Sequence, residues 1–156
     1  MRKFIAFLLL IIAAPASAGT WGVGHFDNDQ SLDTASTWAE SGTVDSVREA
    51  LRLAISAGYL ESSDAEDALV AAEVVAASLG KPNKDLPTDL AAWIQRQPSD
   101  QLRALAAQAL AAVKRVRGPR DSELYELWAD QGAEEWLAQM DDLVSRLGPA
   151  VDRHGP

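Results

Sequence analysis

Apolar side chains recur every three to four residues along most of the chain, and this spacing predicts α-helices. Residues 44–55 carry one apolar stripe and a charged opposite face, the pattern of a helix at the edge of a core. That stripe consists of Val44, Val47, Leu51, Ala54 and Ile55. Residues 68–79 are apolar except for Glu73 and Ser78, which predicts a central helix buried almost all round. We therefore predict an all-α fold, a compact array of six or seven helices with no sheet, between about residues 28 and 147.

Short polar residues, glycines and prolines mark the helix ends. Asp27, Asn28 and Asp29 have side-chain oxygens suited to the start of the first helix, and Thr43 can cap the second. Further on, the stripe predicts one helix over about 98–117, then a short helix capped by Asp121 or Ser122. Gly148-Pro149 is predicted to end the last helix, which leaves residues 148–156 as a flexible tail.

The first 18 residues have the pattern of a signal peptide. Arg2 and Lys3 precede an apolar run over residues 4–14, and Ala16-Ser17-Ala18 is a small-residue cleavage site. The apolar run is shorter than the roughly 20 residues that span a bilayer as a helix. We expect cleavage after Ala18, a periplasmic or extracellular protein with no stable membrane anchor, and a single helical domain over residues 19–147.

Charge narrows the choice of partners. Without Arg2 and Lys3 the chain has 12 basic and 23 acidic residues, a formal charge of −11. Such a surface repels nucleic acid and anionic membranes and favours a basic protein partner. Two acidic helix faces are available to bind one: Asp64, Glu66 and Asp67, and then Glu134, Glu135, Asp141 and Asp142. The chain has no cysteine, so packing alone must hold the fold.

Residues 21–29, at the start of the predicted mature domain, have a composition that the needs of a helical core do not explain. The candidate structural or binding residues here are Trp21, Gly22, Gly24, Phe26, Asp27, Asn28, Asp29 and Asp33. The glycines allow unusual backbone angles, and the aromatic residues are large enough to anchor a loop on a helical core. The acidic and amide side chains suit the start of a helix, where they accept from free N–H groups. We therefore interpret the segment as an aromatic plug followed by a helix cap.

The same oxygens suggest a metal alternative. His25, Asp27, Asp29 and Asp33 are ligand types that bind Ca²⁺ or Mg²⁺. Their spacing lacks the central glycine and the distal glutamate of an EF-hand loop. Helix capping is the preferred interpretation, and no metal or cofactor is expected.

Glu73 is the other candidate site residue, since it is an acid in the middle of the most apolar helix. A buried carboxylate without a partner is unfavourable, so it should find a cation or hydrogen-bond donors, or become protonated. Arg48, Arg52 and Arg103 are the candidate cations. A structural ion pair is favoured over a functional acid.

The opening segment, followed by Asp33, resembles the W-G-x-G-x-F-x-N-D-x-x-x-D start of a bacterial family, domain of unknown function 4259. Other stretches similar to this family are Tyr59-Leu60-Glu61, residues 71–76, Leu86-Pro87 with Trp93, and residues 122–128. In the family the motif usually lies near the initiator methionine, and cleavage after Ala18 would give nearly that start. The family also commonly has a tryptophan soon after the last Asp, whereas here the next one is Trp38. The resemblance implies no activity.

Two functions follow as hypotheses. A non-catalytic protein-binding module, of an inhibitor or immunity type, agrees with the acidic surface and the small size. The alternative is a metal-assisted hydrolase that uses the cluster of His25, Asp27, Asp29 and Asp33. The chain has two histidines, no cysteine and no G-x-S-x-G nucleophile motif, so we favour a protein that is not an enzyme.

Overall fold

The computed structural model describes the backbone of residues 22–151 and the side chains of residues 22–148. The predictions for the signal peptide, for Trp21 and for residues 152–156 concern parts of the chain outside these ranges.

The described chain is all-helical, which confirms the predicted fold class. The helices are α1 (Asp29–Ser41), α2 (Val44–Ser56), α3 (Ser62–Ser78), α4 (Thr88–Arg96), α5 (Ser99–Arg103), α6 (Ala106–Val116), α7 (Glu123–Ala129) and α8 (Glu134–Val151). Within residues 22–151 there is no strand, only an isolated parallel bridge between Leu60 and Ser122. Eight helices replace the predicted six or seven, because the stretch 98–117 is divided by a turn at Ala104 and Leu105.

Side chains cap the helices where the sequence predicts it. Asn28 accepts a hydrogen bond from the N–H of Ser31, 2.8 Å away, at the start of α1. Thr43 and Ser46 form a reciprocal capping box at the start of α2. Ser122 caps α7. These caps bind N–H groups that have no partner inside their own helix, which fixes where each helix begins.

Helix α3 lies at the centre, as its apolar sequence predicts. It contacts each of the other seven helices. Most of its residues from Ala65 to Ala76 are buried, and Glu73 is among them. Ile55, predicted on the buried stripe of α2, is 42% exposed because it lies at the edge of that stripe, turned about 100° from Ala54.

The predicted end of the last helix is wrong. Helix α8 continues past Gly148-Pro149 to Val151. Pro149 lacks an N–H and therefore forfeits one helical hydrogen bond, but the two residues that follow it, Ala150 and Val151, still keep helical geometry. Among the described residues, no helix has the length and hydropathy needed to cross a bilayer.

Candidate functional site: a buried ion cluster and two cavities

Glu73 forms a two-pronged ion pair with Arg146, which α8 brings against the middle of α3. Nη1 of Arg146 lies 2.7 Å from Oε2 of Glu73, and Nη2 lies 2.7 Å from Oε1. The Glu73 side chain is fully buried and that of Arg146 is 13% exposed. Parallel N–H bonds to both carboxylate oxygens are the strongest arrangement available to this pair of groups.

Two more donors complete the cluster. Nδ1 of His25 lies 2.6 Å from Oε1 of Glu73, and Nδ2 of Asn83 donates to the same oxygen over 2.9 Å. Burial by itself raises the pKa of the Glu73 carboxyl, but hydrogen bonds from Arg146 and His25 hold that pKa at about 2. The carboxylate therefore stays ionised and ties three separate parts of the chain to α3.

None of the three predicted cations pairs with Glu73. Arg48 pairs with Asp45 and Arg52 with Glu49, both on the exposed side of α2. Arg103 donates through Nε to the backbone oxygen of Ser78 over 2.8 Å. The sequence places these arginines on helices adjacent to α3, but their side chains leave those helices in other directions.

The opening segment lies directly over this cluster. Phe26 is buried in the core, and the loop before it is closed by a carboxylate of Asp27 that accepts from the N–H of Gly24 over 2.9 Å. A Cβ on Gly24 would lie 2.7 Å from that same carboxylate oxygen. The missing side chain of Gly24 therefore leaves room for the Asp27 carboxylate to close the loop, which carries His25 inward to Glu73.

The metal alternative does not gain support from this geometry. Asp27, Asp29 and Asp33 are exposed, whereas His25 is buried and bonded to Glu73. Across the described residues, no group of three or more His, Cys, Asp or Glu side chains is placed to hold a metal ion.

A small cavity of about 20 Å³ lies on the other side of His25. The polar residues that line it are His25, Asn28, Ser31 and Glu66, and Trp128 and Trp136 form part of its wall. Nε2 of His25 is buried and has no hydrogen-bond partner among the described residues. Buried polar atoms are rarely left without a partner, so this nitrogen calls for an explanation.

Glu66 is buried at 5% exposure, so it is not part of an exposed acidic face as predicted. The sequence groups it with Asp64 and Asp67, but the side chain at position 66 turns toward the opening loop and α1. Burial, with a smaller effect of the Asp67 charge, raises the pKa of the Glu66 carboxyl to about 7.

A larger groove of about 220 Å³ is lined by residues of α1, α2 and α3. Its carboxylates are Glu49, Asp64 and Asp67, and its apolar lining consists of Trp38, Ala50 and Leu53. Asp67 accepts hydrogen bonds from Gln30 and Thr34, which hold its carboxylate in place. Asp64 is exposed and has no ion-pair partner within the described part of the chain.

The second predicted acidic face is partly neutralised. Asp141 pairs with Arg117 and Asp142 with Arg146, both over 2.7 Å. Glu134 and Glu135 remain exposed in the first turn of α8, where negative charge suits the helix dipole. Two of the four carboxylates of this face are therefore neutralised by arginines of the same chain.

Comparison with known proteins identifies the family. Residues 19–139 match the family described as Domain of unknown function (DUF4259). The chain belongs to this family. No curated protein and no solved structure matches the chain. This match confirms the family that the sequence predicted.

Sequence reasoning missed Arg146, Asn83 and Glu66 as members of these sites. Arg146 lies 73 positions from Glu73, and nothing in the spacing of α8 distinguishes it from the other arginines. The sequence did predict that a buried Glu73 needs a cation, and therefore an arginine or a lysine. It did not indicate which of them.

Proposed function

We propose that this DUF4259 protein is a non-catalytic protein-binding module that recognises a basic segment of its partner through the groove between α1, α2 and α3. The observation that carries the proposal is the groove itself, which combines an apolar strip with three carboxylates. Lysine and arginine side chains match this combination, because their aliphatic stems cover apolar surface while their charged ends stay at a polar rim.

The charge of the whole molecule supports the same proposal. A net charge of −9 over the full sequence attracts basic surfaces from a distance, and the groove offers a place where the contact becomes specific. Asp64 supports it further, since no cation competes for its carboxylate within the described residues. The paired Glu49 can exchange its exposed contact with Arg52 for a partner cation at little cost.

The test measures binding of a peptide of alternating lysine and alanine by calorimetry at low salt. In the groove variant, Asp64→Asn with Glu49→Gln, we expect about tenfold weaker binding. The matched control is Glu134→Gln with Glu135→Gln, which removes the same charge from α8. It should change the affinity less than about twofold. Equal weakening in both variants would show charge attraction without a site, and the proposal would fail.

We also propose that the protein acts in the periplasm or outside the cell. The support is the sequence of residues 1–18, with its basic start, apolar run and small-residue cleavage site. Mass spectrometry of the protein expressed with its full sequence should find a chain that begins at Gly19. A cell-associated chain that retains residues 1–18 would contradict this proposal.

A further inference from the structure

The cavity beside His25 contains an arrangement that helix packing does not require. His25 is 4% exposed and Glu66 is 5% exposed, and both line a space of about 20 Å³. A space of roughly 10–15 Å³ holds one water-sized group. The cavity therefore accommodates a single polar head of that size.

His25, Glu66 and Ser31 bring hydrogen-bond acceptors to this space, and Asn28 adds an amide that can both donate and accept. Because the ionised Glu73 can only accept, Nδ1 of His25 must carry the hydrogen of that bond, and in the neutral ring Nε2 presents a lone pair. Glu66 contributes carboxyl oxygens to which no described residue donates a hydrogen bond. Ser31 adds a hydroxyl group, which can also accept.

The group that fits must therefore donate several hydrogen bonds and tolerate negative charge. An anion is excluded, because Glu66 and Asp67 are adjacent acids. A primary ammonium group is the size of a water molecule, has three donors and supplies the positive charge that a buried carboxylate lacks. The indole walls of Trp128 and Trp136 also favour a cation over an anion.

We propose that the cavity lined by His25, Glu66 and Ser31 binds a primary ammonium group at the end of a carbon chain. The raised pKa of the Glu66 carboxyl agrees with this, since it indicates a buried acid for which no counter-ion is present. The proposal does not depend on the groove, which has a different lining.

The probe is n-butylammonium, and n-butyltrimethylammonium is its matched control with the same charge and no N–H donor. Binding is followed at constant pH by the nitrogen NMR shift of the His25 ring, because this ring lines the cavity and its Nε2 has no hydrogen-bond partner among the described residues. We expect a saturable shift of Nε2 with the primary amine and none with the quaternary one. Absence of a shift, or the same shift with both ions, would overturn the proposal.

A variant pair tests the role of the acid. Glu66→Gln removes the charge but keeps the shape, and it should weaken n-butylammonium binding by about tenfold. Glu135→Gln, on the exposed surface of α8, should leave binding unchanged. Equal affinity of the two variants would contradict a site that includes Glu66.

The source of the ammonium group is decided by two further ligands. A short peptide with one central lysine is compared with the same peptide acetylated on the lysine nitrogen. If the free lysine peptide shifts Nε2 and the acetylated one does not, the site accepts a side chain of another protein. If only n-butylammonium binds, the site takes small free amines. The NMR shift of His25 reports on the cavity and not on the groove. Both results can therefore be interpreted even if the groove variants bind the lysine–alanine peptide normally.

Discussion

Replacing Arg146 by methionine tests whether the ion cluster holds the fold together. The substitution keeps an unbranched side chain of similar length but removes both bonds to Glu73. It also removes the bond from Nη1 to the backbone oxygen of Lys81, 3.1 Å away, and the bond from Nε to Asp142. Glu73 keeps His25 and Asn83 as donors but loses its only permanently charged partner among the described residues.

The expected size of the effect follows from the burial of Glu73. Removing one partner of a buried ion pair costs about 3–5 kcal/mol. The electrostatic part of this stability loss has an upper limit, because the Glu73 carboxyl can become protonated instead of remaining charged without Arg146. For a group of ordinary pKa 4.5, protonation at about pH 7 costs about 3.4 kcal/mol, and at about pH 5 only about 0.7 kcal/mol.

The direction in which stability changes with pH distinguishes the loss of the ion pair with Glu73 from a loss of packing by the Arg146 side chain. In the native cluster the pKa of Glu73 is lowered, so its contribution to stability is present above pH 4.5 and is lost as the pH falls toward about 2. In Arg146→Met, burial raises the pKa above its ordinary range. The stability of the variant is then highest below pH 4.5 and falls as the pH rises. We expect a loss of about 3–5 kcal/mol at pH 7 that shrinks to about 1–2 kcal/mol at pH 5.

The assay is urea unfolding followed by circular dichroism at both pH values. Arg52→Met is the matched control, since it breaks an ion pair whose side chains are 57% and 54% exposed. It should cost far less than Arg146→Met, because water already solvates both groups of that pair. Adding Glu73→Gln to Arg146→Met should remove most of the pH dependence. The reasoning is refuted if Arg146→Met costs no more than Arg52→Met, or if its cost is the same at both pH values.

Two further predictions concern the cavity and a tight turn. Because the raised pKa of Glu66 lowers stability as the pH rises from 4.5 through about 7, Glu66→Gln should stabilise the protein by about 1–2 kcal/mol at pH 8 and not at pH 4.5. Thermal unfolding at both pH values measures this, and a gain at pH 4.5 would point to another cause. Gly42→Ala should cost about 1–3 kcal/mol, because its Cβ would lie 2.7 Å from the Cα of Trp38. Gly58→Ala, where a Cβ meets nothing within 4 Å, is its control and should be neutral or slightly stabilising in the same measurement.

The sequence by itself determined the helices and most of their starts. Helical periodicity and capping depend on residues three or four positions apart, so all the information for Asn28, Thr43 and Ser122 lies within one turn of each. The central position of α3 was readable for a similar reason, since a helix that is apolar on every side must be covered on every side. The break at Ala104 and the last turn of α8 were not predicted, because local preferences specify helix ends only weakly.

Only the tertiary structure decided which side chains meet. The choice of Arg146 for Glu73 depends on the angle at which α8 crosses α3, and a small rotation of either helix would bring a different residue into reach. The burial of Glu66 and the lack of a described partner for Nε2 of His25 likewise arise where a loop, α1 and α7 close around one point. Helix periodicity specifies which face of a helix is buried, but not which other helix packs against it. The polar sites of this protein lie at these contacts between helices, so the sequence alone did not predict them.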